Sequence, residues 1–286
     1  MIPKIAILIT ALAILAPAQG RRGGGGQPVQ PAQQVKPGLY VIAGAGANSE
    51  VRVTSDGLIV VDGKLPGDKN YDDLMAQIKA VSTQPVKYLI VTHHHADHTG
   101  NNERFEAAGV KVIGHENLKK NAETYNSNPK PAPPNETYSG SEHTIKEGGV
   151  TVELHHFGRA HTSGDTVVYF PDLKTVVVSD VVTTGATGPL ADYAGGGSFL
   201  EWPKVLEGIL KLDFDSCIPG NGPVLTKADI EAYKKKIDMF VSRAKEAVAK
   251  GVPKDQLMSS IKTDDLGFTP RVPDVDAFYA ELQQAK

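Results

Sequence analysis

Cysteine is nearly absent from this chain of 286 residues, which contains only Cys217. A single cysteine cannot form a disulfide within the chain, so no intramolecular bridge stabilises the fold. Cys217 follows Phe214 closely and directly precedes Ile218. We therefore expect it to pack as a small apolar residue rather than to bind a metal.

An excess of charge of one sign is also lacking. The 30 basic residues (Lys and Arg) are balanced by 33 acidic residues, which gives a formal net charge of -3 at pH 7. A nucleic-acid-binding surface needs a basic stripe, so this balance argues against a nucleic-acid partner. We expect a small-molecule substrate. Apolar residues make up 40% of the chain, which is enough to bury one sizeable core or two small ones.

The apolar run at the N-terminus, residues 5–16, is too short for a typical membrane span. It follows Lys4 and ends at Ala16-Pro17-Ala18, a small-x-small cleavage pattern. A charged start, a short apolar core and such a site predict a secretory signal peptide over residues 1–18. An uncleaved interfacial or membrane anchor is the alternative. We expect a periplasmic or secreted protein with no stable membrane span after cleavage.

Residues 19–35 are rich in Gly, Gln and Pro and are expected to form a flexible leader. Residues 36–286 then form the predicted catalytic domain, in which β-formers and helical apolar spacing alternate in two series. The proline-rich segment 126–138 is predicted to be a long loop. A long helix is predicted at Lys227–Ala249, with a capping signal in Thr226-x-x-Asp229.

Four histidines and one aspartate fall within the six positions 93–98. Neutral imidazole is the commonest protein ligand for transition metals, and carboxylate is a harder, anionic complement. Side chains alternate along an extended segment, so His93 and His95 should point one way and His94 the other. Asp97 and His98 follow in a turn and can reach a second position. This spacing suits two metals held side by side.

The same run lies between two predicted elements. A buried strand of β-formers is predicted at Val86–Val91, and a helix is predicted from Thr99 to Ala108. The metal-binding side chains are therefore expected on the turn where a strand ends and a helix begins.

The pattern His93-x-His95-x-Asp97-His98 resembles the HxHxDH signature of the metallo-β-lactamase superfamily. The resemblance extends from about Gly38 to about Thr226. Further segments match motifs of that superfamily in the same order: Leu58–Gly63 with an early strand ending in Asp62, Gly158–Asp165 with the third metal histidine, Val176–Asp180 with the bridging aspartate, and Ile218–Pro223 with the last metal-site loop.

The resemblance implies an α/β fold, an αββα sandwich of two mixed β-sheets flanked by helices, which the two βα halves of the chain also favour. It implies that His93, His95 and His161 would hold one Zn²⁺ ion. Three protein ligands leave a fourth position for water, as in catalytic zinc sites. Asp62 is expected either to support the ligand loop by hydrogen bonds or to act as an ordinary turn residue.

By the same resemblance, Asp97 and His98 would begin a second metal site, which Asp180 would bridge or complete. Asp97 could also orient the attacking water and shuttle its proton. The superfamily loop is usually Pro-Gly-His-Gly, but this chain has Asn221 at the histidine position. A neutral amide is a poor zinc ligand, so the second site is either weak or empty, or is completed by water with Asn221 as a distant partner. We expect one tight Zn²⁺ site and a second, weaker one.

The substrate is less well specified by the sequence. Residues 185–202 follow Asp180 and are expected to line the pocket, with Leu190, Tyr193, Phe199 and Trp202 as apolar walls. No Lys or Arg occurs between Lys174 and Lys204, which weakens the case for a β-lactam, because many lactamases hold the substrate carboxylate with a basic or hydroxyl residue there.

Three functions remain open. The first is a zinc-dependent hydrolase that activates water to cleave an ester, lactone, amide or β-lactam carbonyl bond. The second is a mononuclear iron dioxygenase of the same superfamily, which would use His93, His161 and Asp180. The third is a catalytically inactive metal-binding module.

Metal titration tests the unequal pair of sites. We expect one tight and one clearly weaker equivalent, because Asn221 replaces an imidazole ligand. An Asn221→His variant should strengthen the weaker equivalent and leave the tight one unchanged. Calorimetric titration of metal-free protein measures both, and two equally tight equivalents in the wild type would contradict the prediction.

Overall fold

Two mixed β-sheets pack face to face in the computed structural model, which describes residues 26–185 and 188–284. The expected signal peptide (1–18) and the first part of the leader lie outside the described residues. Helices cover the outer face of each sheet, so the predicted αββα sandwich is confirmed.

The first sheet has seven strands in the order of the chain. Its first four strands are antiparallel, whereas the last four run parallel to one another. The strands are β1 (Gln33–Lys36), β2 (Leu39–Ile42), β3 (Ser49–Val53), β4 (Leu58–Val61), β5 (Val86–Ile90), β6 (Lys111–His115) and β7 (Glu136–Tyr138).

The second sheet has six strands, and the last lies at the opposite edge from the first. All its neighbours are antiparallel except one central parallel pair, β11 and β12. The strands are β8 (Glu142–Glu147), β9 (Val150–His155), β10 (Val167–Phe170), β11 (Thr175–Ser179), β12 (Ser216–Pro219) and β13 (Leu225–Thr226).

The helices fill the connections between strands. None of those in the described part of the chain is long and apolar enough to cross a membrane. They are α1 (Asp68–Val81), α2 (Ala96–Thr99), α3 (Asn102–Ala107), α4 (Glu116–Thr124), α5 (Trp202–Lys211), α6 (Lys227–Ala249), α7 (Leu257–Ser260) and α8 (Val275–Gln284).

Strand β11 shows how the layers form. Its three consecutive valines are buried, and successive side chains point to opposite faces of the sheet. Val177 belongs to the core between the two sheets, while Val176 and Val178 pack under the helices of the second sheet. Cys217, on β12, is fully buried in that same helical layer, as its apolar neighbours predicted.

Three sequence-based boundaries differ from the structure. Gln33–Lys36 pair with β2, so the ordered sheet begins inside the segment assigned to the flexible leader. The predicted helix 99–108 is shorter, at Asn102–Ala107, and a separate short helix at Ala96–Thr99 contains Asp97 and His98, which were expected in a turn. Glu136–Tyr138, placed in the long loop, form a strand because they pair in parallel with β6 beyond the last proline.

Phe240 is the centre of the core beneath α5, α6 and α8. It is fully buried, and its ring centroid lies 4.9 Å from that of Phe199 and 5.7 Å from that of Phe278. Phe240→Ala should lower the free energy of unfolding by about 3–5 kcal/mol, because the cavity cannot be refilled. The adjacent Met239 is 38% exposed, so Met239→Ala is the matched control and should have little effect. Denaturant unfolding measures both, and equal losses would contradict this account of the core.

Candidate metal centre

The chemically reactive side chains lie where parallel strands end. Asp62 follows β4, His93 lies just beyond β5, and these strands are parallel neighbours in the first sheet. In the second sheet, Asp180 follows β11 and Asn221 lies just beyond β12, again a parallel pair. Carboxyl ends of parallel strands meet at one edge of a sheet, so each sheet brings its polar residues to a common edge.

The two edges are joined by hydrogen bonds. The Thr92 carbonyl accepts the backbone N–H of Thr166 at 2.8 Å, and the backbone N–H of Asn48 donates to Gly220 O at 2.6 Å. The Asn48 side-chain amide also donates to Pro219 O at 2.9 Å. The residues that follow the strands therefore meet in one place.

Three imidazole nitrogens converge there. Nε2 of His93 lies 3.1 Å from Nδ1 of His95, and Nε2 of His161 lies 3.2 Å and 3.0 Å from these two atoms. Nitrogens bound tetrahedrally to zinc at about 2.0–2.1 Å stand roughly 3.3 Å apart. The observed triangle is within a few tenths of an ångström of that arrangement, so these side chains fit a zinc ion.

Electrostatics favours the neutral form of this cluster. Burial and the neighbouring imidazoles hold the pKa of His93 and that of His161 well below the usual histidine range. Neutral rings keep a lone pair available for a metal. The Nδ1 of His161 lies 2.7 Å from Leu190 O and donates to it, so its Nε2 is the free acceptor.

A second group of donors adjoins the first. His98 Nε2 is buried without a hydrogen-bond partner, 3.8 Å from Asp180 Oδ1 and 3.7 Å from Asp97 Oδ2. The other oxygen of Asp180 lies 3.8 Å from His161 Nε2, so its carboxylate stands between the two groups. An unpartnered buried nitrogen facing two carboxylates fits a second cation.

Asp62 supports this second group from behind. Its buried carboxylate lies 2.7 Å from His98 Nδ1 and accepts the backbone N–H and the hydroxyl of Thr92 at 2.9 Å and 2.8 Å. The Ser179 hydroxyl lies 2.9 Å from that of Thr92. Asp62 thus fixes the orientation of the His98 ring, which leaves Nε2 directed at Asp97 and Asp180.

Asn221 lies in a loop packed tightly on Asp180. A Cβ at Gly220 would overlap Asp180 Oδ1, which explains why a glycine precedes Asn221. Asn221 is half-buried, and its carbonyl accepts the Thr184 hydroxyl at 3.0 Å. The loop that carries Asn221 therefore stands beside the second group.

Comparison with known proteins identifies the family. The family model for the metallo-beta-lactamase superfamily matches residues 45–249, well over half of the chain. The chain belongs to the metallo-beta-lactamase superfamily. The resemblance inferred from the HxHxDH run is thereby confirmed at this level.

Relatives within the metallo-beta-lactamase superfamily differ in activity. The chain is 30% identical over 173 residues to the 2,4-dinitroanisole O-demethylase subunit alpha of Nocardioides sp. (strain JS1661), covering 60% of this chain and 51% of that subunit. It is 27% identical over 180 residues to a Bacillus cereus metallo-beta-lactamase type 2, covering 62% of this chain and 68% of that enzyme. The chain thus spans about half the length of the demethylase subunit.

Solved structures support the fold. A metallo-beta-lactamase from Pontibacter korlensis aligns with a TM-score of 0.65 at 20% identity, covering 73% of this chain and 99% of that one. The DIM-1 metallo-beta-lactamase aligns with a TM-score of 0.62 at 19% identity, covering 73% of this chain and 98% of that one. At these identities the likeness concerns the arrangement of the sheets and helices.

Asp192 is a site residue that the sequence motifs did not reveal. Its Oδ2 lies 2.8 Å from His95 Nε2 and 3.5 Å from Nε2 of the fully buried His94. Burial alone would raise the pKa of Asp192, but the adjoining side chains of His94, His95 and Tyr125 hold it well below the usual range. An anionic Asp192 leaves His95 Nδ1 as the free acceptor toward the other two imidazoles.

Two buried ionisable residues behind the site, Lys64 and Glu50, were also missed. Lys64 is fully buried, and its ammonium donates to Ile42 O and Ala47 O. Burial lowers its pKa to about 7. Glu50 is 1% exposed. Its burial, and to a smaller extent the negative charge of the nearby Asp62, raise the pKa of its carboxyl well above the usual range. Only the polar positions of Glu50 and Arg52 within a β-forming segment hinted at these burials.

The expected apolar walls of the pocket need correction. Phe199 and Trp202 are fully buried, and they stack at 5.2 Å in the core beneath the loop. The Trp202 indole N–H donates to Val181 O at 3.0 Å, which holds it there. Leu190 and Tyr193 are partly buried in the loop itself. Ala186 and Thr187 lie outside the described residues.

The contact between Asp62 and His98 predicts that the pKa of His98 depends on the Asp62 carboxylate. Burial would lower the pKa of His98, but the carboxylates of Asp62, Asp97 and Asp180 raise it to about 10. Asp62→Asn removes the nearest anion, so the His98 pKa should fall in metal-free protein. NMR titration of the histidine ring signals measures it. Asp73→Asn, on the exposed Lys69–Asp73 pair, is the control, and an unchanged His98 pKa in Asp62→Asn would refute the assignment.

Proposed function

We propose that the chain is an exported zinc-dependent hydrolase that cleaves a carbonyl bond in a small molecule. Ester, lactone, amide and β-lactam bonds are the candidate classes. The tight metal would be held by His93, His95 and His161. The convergence of their three nitrogens within 3.2 Å is the observation that carries this proposal.

The second, weaker metal would be held by Asp97, His98 and Asp180, with Asn221 beside it. Two of these groups are carboxylates, which supply the charge that the Asn221 amide lacks. The buried, unpartnered Nε2 of His98 supports the proposal, because such an atom is costly without a ligand.

Zinc bound in such a site acts as a Lewis acid and lowers the pKa of coordinated water to about 7. The protein supplies positions and a proton acceptor. Asp97 is the most exposed of the donors, with 34% of its side chain accessible, whereas His98 is fully buried. The Asp97 carboxylate can therefore reach the solvent side of the site, orient the attacking water and accept the proton of that water.

The substrate is proposed to be uncharged near the scissile bond. No Lys or Arg occurs between Lys174 and Lys204, so the loop 185–202 has no cation of its own to bind a substrate carboxylate. Neutral esters and lactones are therefore expected to be better substrates than β-lactams, which carry a carboxylate. The demethylase relative adds an aryl methyl ether to the compounds worth testing.

The iron-dioxygenase alternative would use two histidines and one carboxylate. His95 Nδ1 lies as close to His93 and His161 as they lie to each other, so the structure favours three nitrogens around one ion. The inactive-module alternative predicts metal binding without turnover.

One experiment separates the three functions. Metal content of purified protein is measured alongside turnover of an aryl ester, a lactone, a chromogenic β-lactam and 2,4-dinitroanisole, with oxygen uptake recorded. We expect zinc, metal-dependent hydrolysis that chelation abolishes and zinc restores, and no oxygen uptake.

The matched pair His95→Asn and His143→Asn provides the control. His143 is exposed on β8 and should leave metal content and turnover unchanged, whereas His95→Asn should lose the tight equivalent and the turnover. Iron with oxygen uptake would favour the dioxygenase, and full metal loading without turnover of any compound would favour the inactive module.

A further inference from the structure

The chain continues beyond the region that defines its superfamily. The family model ends at residue 249, the last residue of α6, and the described chain runs on to residue 284. This C-terminal segment, residues 250–284, contains α7 and α8 and packs against α6. It also makes two polar contacts with residues 188–201, which we call the site loop.

The first contact is a short backbone pairing. Leu190 forms a parallel bridge with Arg271, whose backbone N–H donates to Pro189 O at 2.8 Å. The Arg271 Nε donates to Gly188 O at 3.0 Å. A Cβ at Gly188 would overlap Thr269 O, so the two backbones lie too close for any side chain at this position.

The second contact is made by Glu281 on α8. Its side chain is only 18% exposed, and its two oxygens accept the hydroxyls of Ser198 at 2.5 Å and Tyr193 at 2.8 Å. Arg159 lies 3.3 Å from the same carboxylate and pairs with Glu201 at the end of the loop. One carboxylate therefore ties together residues on both sides of the loop's glycines.

The site loop in turn orients two of the three converging imidazoles, those of His95 and His161. Leu190 O accepts from His161 Nδ1 at 2.7 Å, and Asp192 Oδ2 lies 2.8 Å from His95 Nε2. Asp192 is joined to the same segment, because its N–H donates to His161 O and its carbonyl accepts from Gly197. Whatever holds the loop therefore also holds the tautomer and orientation of His95 and His161.

We propose that the C-terminal segment positions the first metal site, with Glu281 as the positioning residue that fixes the site loop onto His95 and His161. The inference rests on the proposed metal centre. Loss of a direct hydrogen-bond partner of a ligand costs roughly 10–100-fold in metal affinity. Glu281 does not contact a ligand directly but acts through the site loop, so we expect a smaller loss of metal affinity, roughly fivefold.

Helix α8 offers a matched control. Asp276 lies five residues before Glu281 on the same helix and pairs with Lys254 at 2.7 Å, but its side chain is 76% exposed. Glu281→Ala and Asp276→Ala each remove one carboxylate and one ion pair from α8. Of these two acids, Glu281 hydrogen-bonds to the site loop, whereas Asp276 pairs with Lys254.

The test uses cobalt(II) titration of the full-length, metal-free protein and its variants, followed by visible absorption. The first-site dissociation constant and the cobalt band intensities report the geometry of the ligands, which a loss of stability alone would not change. We expect Glu281→Ala to raise the constant roughly fivefold and to alter the bands. Asp276→Ala should match the wild type, and Glu281→Gln, which keeps an acceptor oxygen, should recover most of the affinity.

The outcomes separate the two proposals. A Glu281→Ala protein that unfolds more easily but binds cobalt as the wild type does would overturn the positioning role. If Glu281→Ala does not fold, the double variant Tyr193→Phe/Ser198→Ala decides, because it removes the two hydroxyl donors and keeps the carboxylate. Altered bands in that variant would support the role, and wild-type bands would overturn it. Wild-type protein that binds no cobalt would refute the metal centre itself.

Discussion

A buried carboxylate, that of Asp62, joins the two halves of this molecule at the edge where the site forms. It accepts hydrogen bonds from Thr92 at the end of β5 and pairs with His98, and Ser179 of the second sheet lies against the same group. A buried anion without partners would cost several kcal/mol, so these donors must stay in place. Asp62 itself adopts φ 59°, which few residues other than Gly, Asn and Asp tolerate. Its environment therefore fixes both the backbone turn and the His98 ring.

The parts of the fold and site that follow from local pattern were predictable. The HxHxDH run comes after a strand of β-formers, and its spacing alone indicated a metal site. Helix α6 has the predicted bounds, and its Thr226–Asp229 capping box is present, because apolar spacing and capping are properties of neighbouring residues. The consecutive valines of β11 are β-formers, which is the local pattern of a buried strand.

The remaining features depend on contacts between distant residues. Asp192 meets His95 across 97 positions of sequence, and Glu281 meets Ser198 across 83. Neither acid lies in a motif, so no local signal marks it. Phe199 and Trp202 were misplaced for the same reason, since an aromatic residue in a glycine-rich loop can face a pocket or the core. Only the packing of α5, α6 and α8 decides between them.

The converging donors come from both sheets: His93, His95 and His98 from the first half, and His161 and Asp180 from the second. Neither half alone holds a complete set, so the site exists only once the sheets have docked. A metal ion that binds there bridges the halves and stabilises the folded state by mass action. Because the choice of metal depends on availability as well as on geometry and ligand type, the compartment in which docking is completed contributes to which ion the chain acquires.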